Sequence, residues 1–123
     1  MKPKQFQRCG IHLPVKNLRE TLDYYRERLG FSEEWLWGEK DGGLQRDHMR
    51  LLFVEDPIYT ETLNNNNNRL NLLWFVENVD EIYKEFQERK IKIASELKDY
   101  AYGTREFAFV DINGYYIRIA EGI

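Results

Sequence analysis

The chain is poor in the residues that build covalent and metal-held structures: one cysteine, two histidines and three prolines in 123 residues. A lone Cys9 cannot form a disulfide or a thiolate cluster within one chain, which excludes a disulfide scaffold and a Cys-rich metal site. As a small apolar residue it is expected to be buried. His12 and His48 are few for a metal enzyme. Positive charge is not in excess either. Eighteen Lys and Arg against 21 Asp and Glu leave a formal charge of −3, whereas a general nucleic-acid binder needs a basic surface. No run approaches the ~20 apolar residues of a membrane span, and the segment MKPKQFQRCG lacks the apolar stretch of a signal peptide, so the chain reads as cytoplasmic with no membrane partner. A Gly-x-Ser-x-Gly elbow, a phosphate-cradling glycine loop and a Cys/His pair are missing as well.

What the chain has in quantity is aromatic side chains, 15% of residues, with three Trp, eight Tyr and seven Phe. That exceeds the need of one core in a domain of this length. Aromatic faces offer large contact area at low entropy cost, which makes some of them candidates for a ligand site.

The chain also repeats itself. Shifted by 61 residues, VKNLRETLDYYRERLG (15–30) falls on VENVDEIYKEFQERKI (76–91), with identities at Val15/Val76, Asn17/Asn78, Glu20/Glu81, Glu27/Glu88 and Arg28/Arg89. Ordinary residue frequencies give about one match over such a window. Each copy starts with a run of strand character ending at Val15 or Val76, followed by Asn17 or Asn78 as helix cap. An apolar stripe follows: Leu18, Leu22, Tyr25 and Leu29 in the first copy, Val79, Ile82, Phe86 and Tyr83 in the second. Gly30 suits the left-handed close of the first helix. About three strands then follow in each copy. Turn signals stand at Asp41-Gly42-Gly43 and at Asp111-Ile112-Asn113-Gly114. The expected fold class is α+β, two tandem βαβββ modules at about 1–58 and 69–123. Residues 59–68, with five consecutive asparagines from Asn64 to Asn68, read as a solvated connector.

Three segments carry a family resemblance: LPVKNLRETLDYYRERLGF (13–31), VDEIYKEFQERKIKI (79–93) and YGTREFAFVDINGYYIRIAE (102–121). Together they resemble the vicinal oxygen chelate superfamily of glyoxalase I, extradiol dioxygenases, fosfomycin-resistance enzymes and bleomycin-resistance proteins. The resemblance implies strands of two modules curling into a half-open cup, and a homodimer with its sites at or near the subunit boundary. Catalytic members place one metal ligand on each of four strands, at positions that here are Gly10, Leu52, Asn71 and Arg118. Gly, Leu, Asn and Arg do not build a cation site, and Arg118 brings a permanent positive charge to it. His12 shares a strand face with position 10 but lies about 6.6 Å further along it. Glu55 and Glu121 fall an odd number of residues from the ligand positions and are expected to point to the opposite face. His48, beside Asp47, reads as a turn or rim residue.

In the bleomycin-resistance branch, which this chain resembles most closely, the ligand positions are likewise lost and the drug is sequestered rather than transformed. The residues that stack on the drug there map onto Trp35 and Tyr102. Other positions of the cup strands add His12, Arg50, Asn71, Tyr116, Arg118 and either Trp74 or Leu73. The expected function is metal-free, cofactor-free binding of a planar or partly aromatic small molecule in a cup at the dimer interface. The acidic balance favours a cationic ligand, whereas Arg118 and Arg105 favour a carboxylate or phosphate oxygen. Two alternatives stand beside this reading: a glyoxalase- or dioxygenase-type enzyme with a displaced metal site anchored by His12, and a dimeric scaffold whose cup is filled by its own side chains.

Overall fold

A computed structural model describes residues 1–123. The elements run β1 (His12–Val15), α1 (Leu18–Glu27), β2 (Ser32–Trp37), β3 (Asp41–Arg46), β4 (Met49–Glu55), α2 (Pro57–Leu63), β5 (Asn71–Phe75), α3 (Val79–Glu88), β6 (Ile93–Tyr100), β7 (Thr104–Val110) and β8 (Tyr116–Gly122). Two four-stranded sheets result, ordered β1-β4-β3-β2 and β5-β8-β7-β6. In each the first strand pairs parallel to the last, and the other pairings are antiparallel. These are the two βαβββ modules expected from the repeat, with α1 and α3 displaced by 61 residues. No helix is long and apolar enough to cross a membrane.

The two helix starts are built alike. Asn17 accepts a hydrogen bond from Glu20 N at 2.9 Å, and the Glu55 carboxylate accepts from Leu18 N at 2.9 Å. At α3 the Glu121 carboxylate accepts from Val79 N at 3.0 Å. Asn78 sits in the left-handed region (φ 57°) and makes no side-chain cap, so there the glutamate does the work expected of the asparagine. Both glutamates thus turn to the helix side of their sheets, as strand alternation required. Gly30, at φ 76°, closes α1 as expected.

Two expectations need correction. The first hairpin does not turn at Asp41-Gly42-Gly43, which lie inside β3; the chain turns at residues 38–40, where Gly38 has φ 64°. Gly43 is small for another reason: a Cβ there would collide with the Leu51 carbonyl oxygen and stand 2.8 Å from Trp35 Nε1, so the glycine lets both β4 and the indole come close. The connector is also more than solvated chain. Asp56 caps α2 by accepting from Tyr59 N at 3.0 Å, and Pro57 takes the first-turn position that tolerates proline. Asn64 is buried and its side-chain oxygen accepts from Leu70 N at 2.8 Å, holding the entry to β5.

One cluster of 18 buried residues takes members from both modules, among them Leu22, Tyr25, Phe53, Phe86, Phe109 and Ile119. Helix-facing side chains of both sheets meet in it, and Trp74 packs against Tyr25, Phe31 and Phe109. The Asp111–Gly114 turn pins the modules together. Asn113 accepts from Lys16 N at 2.8 Å and donates to Thr21 Oγ1 at 3.1 Å. Tyr25 donates to Asp111 and Tyr115 to the Pro14 carbonyl, each at 2.5 Å.

Candidate functional site

Because both sheets spend one face on the shared core, each turns its other face away from it. On the first sheet, the strand register sets His12 beside Leu52, Leu52 beside Gly43 and Gly43 beside Trp35 in a single cross-strand row. Arg50 occupies the same face one step along β4, its guanidinium 5.2 Å from the centre of the Trp35 ring. His12 Nε2 lies 2.9 Å from Asp41 Oδ1 and 3.2 Å from the Phe53 carbonyl oxygen.

On the second sheet the rows are Asn71, Tyr116 and Val110, then Leu73, Arg118 and Ala108, then Phe75, Ala120 and Glu106. Alternation therefore gives Leu73 to this face and Trp74 to the core. Glu106 is 3% exposed, a carboxylate set in the sheet itself. It accepts from Arg118 Nε at 2.8 Å, from Thr104 at 2.9 Å and from Tyr102 at 3.1 Å. Burial pushes the Glu106 carboxyl up, yet the hydrogen bonds from Arg118, Thr104 and Tyr102 outweigh it and hold the group below its ordinary value. Tyr102 stacks on Tyr100 at 5.1 Å with the rings 23° apart.

These placements gather His12, Arg50 and Trp35 on one face and Asn71, Tyr102, Tyr116 and Arg118 on the other. They do not bring the two sets together within the chain, because the shared core lies between the faces. Arg118 does not present the uncompensated charge that its position suggested; it is spent on Glu106. Arg105 leaves the site altogether, bound to Asp80 at 2.9 Å and Asp99 at 3.0 Å on the helix side. Cys9, expected to be buried, is exposed. Glu106 was missed by sequence reasoning, although a carboxylate in the middle of TREFAFV, facing an arginine on the next strand, was a visible signal.

At the four positions that the resemblance assigns to metal ligands, the side chains do not fit a divalent ion. Gly10 lies against Leu52, a Cβ at position 10 standing 3.6 Å from the Leu52 side chain. Arg118 is cationic and already paired. Nowhere do three His, Cys, Asp or Glu side chains converge, and metal centres need three or four such donors. A cavity of about 1140 Å³ follows the seam between the modules and is lined in part by Phe31, Met49, Arg50, Trp74, Ile82 and Phe86. It reaches the first sheet's open face at Gly10, Arg50 and Leu52 and the second sheet's at Phe75.

Arg118 and Glu106 depend on each other. Arg118→Met should cost about 3 kcal/mol, because it leaves a buried carboxylate without its counter-ion, and Glu106→Gln added to it should recover most of that loss. Urea unfolding of the single and double variants reads this out; a double variant no better than Arg118→Met would contradict the dependence.

The match to known proteins agrees with this geometry. Residues 5–119 fit the model of the Glyoxalase/Bleomycin resistance protein/Dioxygenase superfamily, and the chain belongs to that superfamily. Among similar solved structures is a bleomycin resistance determinant encoded on the transposon Tn5, 20% identical, with TM-score 0.78 over 95% of this chain and 98% of that one. A glyoxalase/bleomycin resistance protein/dioxygenase from Nocardioides is 14% identical, with TM-score 0.76 over 99% of this chain and 87% of that one. A lactoylglutathione lyase from Agrobacterium tumefaciens is 18% identical, with TM-score 0.72 over 98% and 96%. At such identities the likeness is one of fold. No curated protein matches the sequence.

Proposed function

We propose that the protein binds a planar, partly aromatic small molecule without a metal ion, in cups that each need two copies of the chain. One copy contributes the sheet face bearing Trp35, Arg50 and His12, and the other contributes the face bearing Tyr100, Tyr102 and Arg118. The observation that carries the reading is the Arg118–Glu106 pair on the open face of the second sheet, beside the Tyr102 ring suited to stacking; the resemblance expects a metal ligand at position 118. Apolar side chains left open on the two faces favour a second copy as the cover: Trp37 is 77% exposed and Phe75 62%. The bleomycin resistance determinant among the similar structures supports a sequestering role, and the sequence carries no other catalytic constellation.

Elemental analysis and tryptophan fluorescence test this together. Protein prepared without chelators is expected to carry no stoichiometric divalent metal and to show saturable quenching by planar aromatic compounds. Stoichiometric metal that is lost in His12→Ala would overturn the reading in favour of the enzyme with a displaced site.

A further inference from the structure

The cup faces carry their charge in a particular way. Three aromatic platforms have a cation of the chain's own above them: Arg50 on Trp35 at 5.2 Å, Lys98 on Tyr100 at 5.0 Å and Arg118 on Tyr102 at 5.8 Å. Arg118 is neutralised by Glu106 and Asp41 is held by His12. Arg50 and Lys98 make no ion pair; the rings are their partners. The remaining acids of the outer strands are placed elsewhere. Glu34 binds Arg19 and Asp99 binds Arg105 on the helix side, while Glu33 and Glu96 lie in the bulges of β2 and β6. A chain of net charge −3 thus keeps two uncommitted cations at the aromatic surfaces of its open faces.

From this arrangement we infer that the ligand is an aromatic anion, a planar ring system bearing a carboxylate, sulfonate or phosphate, rather than an aromatic cation. The inference rests on the proposed cup and names what that cup selects. A stacked ring replaces the contact Arg50 or Lys98 makes with its platform, and an acidic group on that ring gives the displaced cation a partner. A cationic ring would meet these same cations across a short distance with no free carboxylate on the row to offset them.

Three fluorescence-active probes separate the possibilities: anilinonaphthalenesulfonate, the phenylnaphthylamine that differs from it by lacking the sulfonate, and cationic proflavine. Titrated against the full chain with tryptophan quenching as readout, the sulfonate is expected to bind roughly ten-fold tighter than the neutral amine, and proflavine most weakly. Arg50→Gln and Lys98→Gln are each expected to narrow the ratio between anion and neutral compound, and added salt should narrow it further. Equal affinity for anion and neutral compound, tighter binding of proflavine, or a ratio unmoved in both variants overturns the inference while leaving the aromatic cup intact. Absence of quenching by all three overturns the cup, and the inference with it.

Discussion

Replacing Asp111 by alanine is expected to lower stability by about 3 kcal/mol or more, a large share of what holds a small domain folded. The carboxylate is buried and accepts from Tyr25 at 2.5 Å and from the Asn113 and Tyr115 amides at 2.9 Å each. Alanine strands all three donors inside the protein. It also unties a turn that reaches across to Lys16, Thr21 and Pro14, so the loss should register in both modules at once. Thermal unfolding followed by circular dichroism would show it as a lower, still single transition. Two separate transitions would mean that the shared core does not couple the modules.

The same group gives stability a pH signature. Burial pushes the Asp111 carboxyl up to about 6, against the hydrogen bonds from Tyr25, Tyr115, Asn113 and Gly114 that pull it down. A carboxyl whose folded value lies above its unfolded one binds its proton better when folded. Its stabilising contribution is therefore full below the unfolded value near 4 and is lost as pH rises through about 6. Asp111→Asn keeps the shape and removes the titration. The stability of the wild type relative to this variant should fall by on the order of 2 kcal/mol between about pH 4 and about pH 7. A difference that stays constant across that range would contradict it.

Trp35→Ala is the second large effect, and it falls on binding rather than on folding. The indole is half-buried on an open face, lying over Gly43 and under Arg50, so its removal leaves the shared core untouched. Loss of one stacked ring at ~1–3 kcal/mol corresponds to a roughly five-fold or greater rise in the dissociation constant for the sulfonated probe. A displacement titration measures it, and an unchanged constant would remove Trp35 from the site.

Much of this was readable from residues alone because the repeat writes the same instructions twice. Asparagine and apolar stripe recur at one 61-residue spacing, and strand alternation correctly sent Glu55 and Glu121 to the face opposite the open one. Other features depend on partners distant in sequence. Gly42 and Gly43 look like a turn until the Trp35 indole is known to lie on Gly43 and Leu36 and Leu18 to pack beside Gly42. The α2 helix hides in an apparently featureless stretch because its signal is the Asp56-Pro57 start rather than an apolar stripe, its one buried residue being Thr60. Glu106 reads as a surface acid until Arg118 is placed beside it. That Trp35 and Tyr102 face opposite ways is a property of the core between them, which no local pattern encodes.

This opposition gives the most direct test of the cup. Trp35→Ala and Tyr102→Ala chains, each prepared alone, should both bind the sulfonated probe weakly. Mixed in equal amounts and allowed to exchange subunits, they should recover a fraction of sites with wild-type affinity, because a mixed pair builds one cup with both aromatic residues and one with neither. If exchange is verified by native mass spectrometry and no tight sites return, the two faces do not meet across copies and the account is wrong.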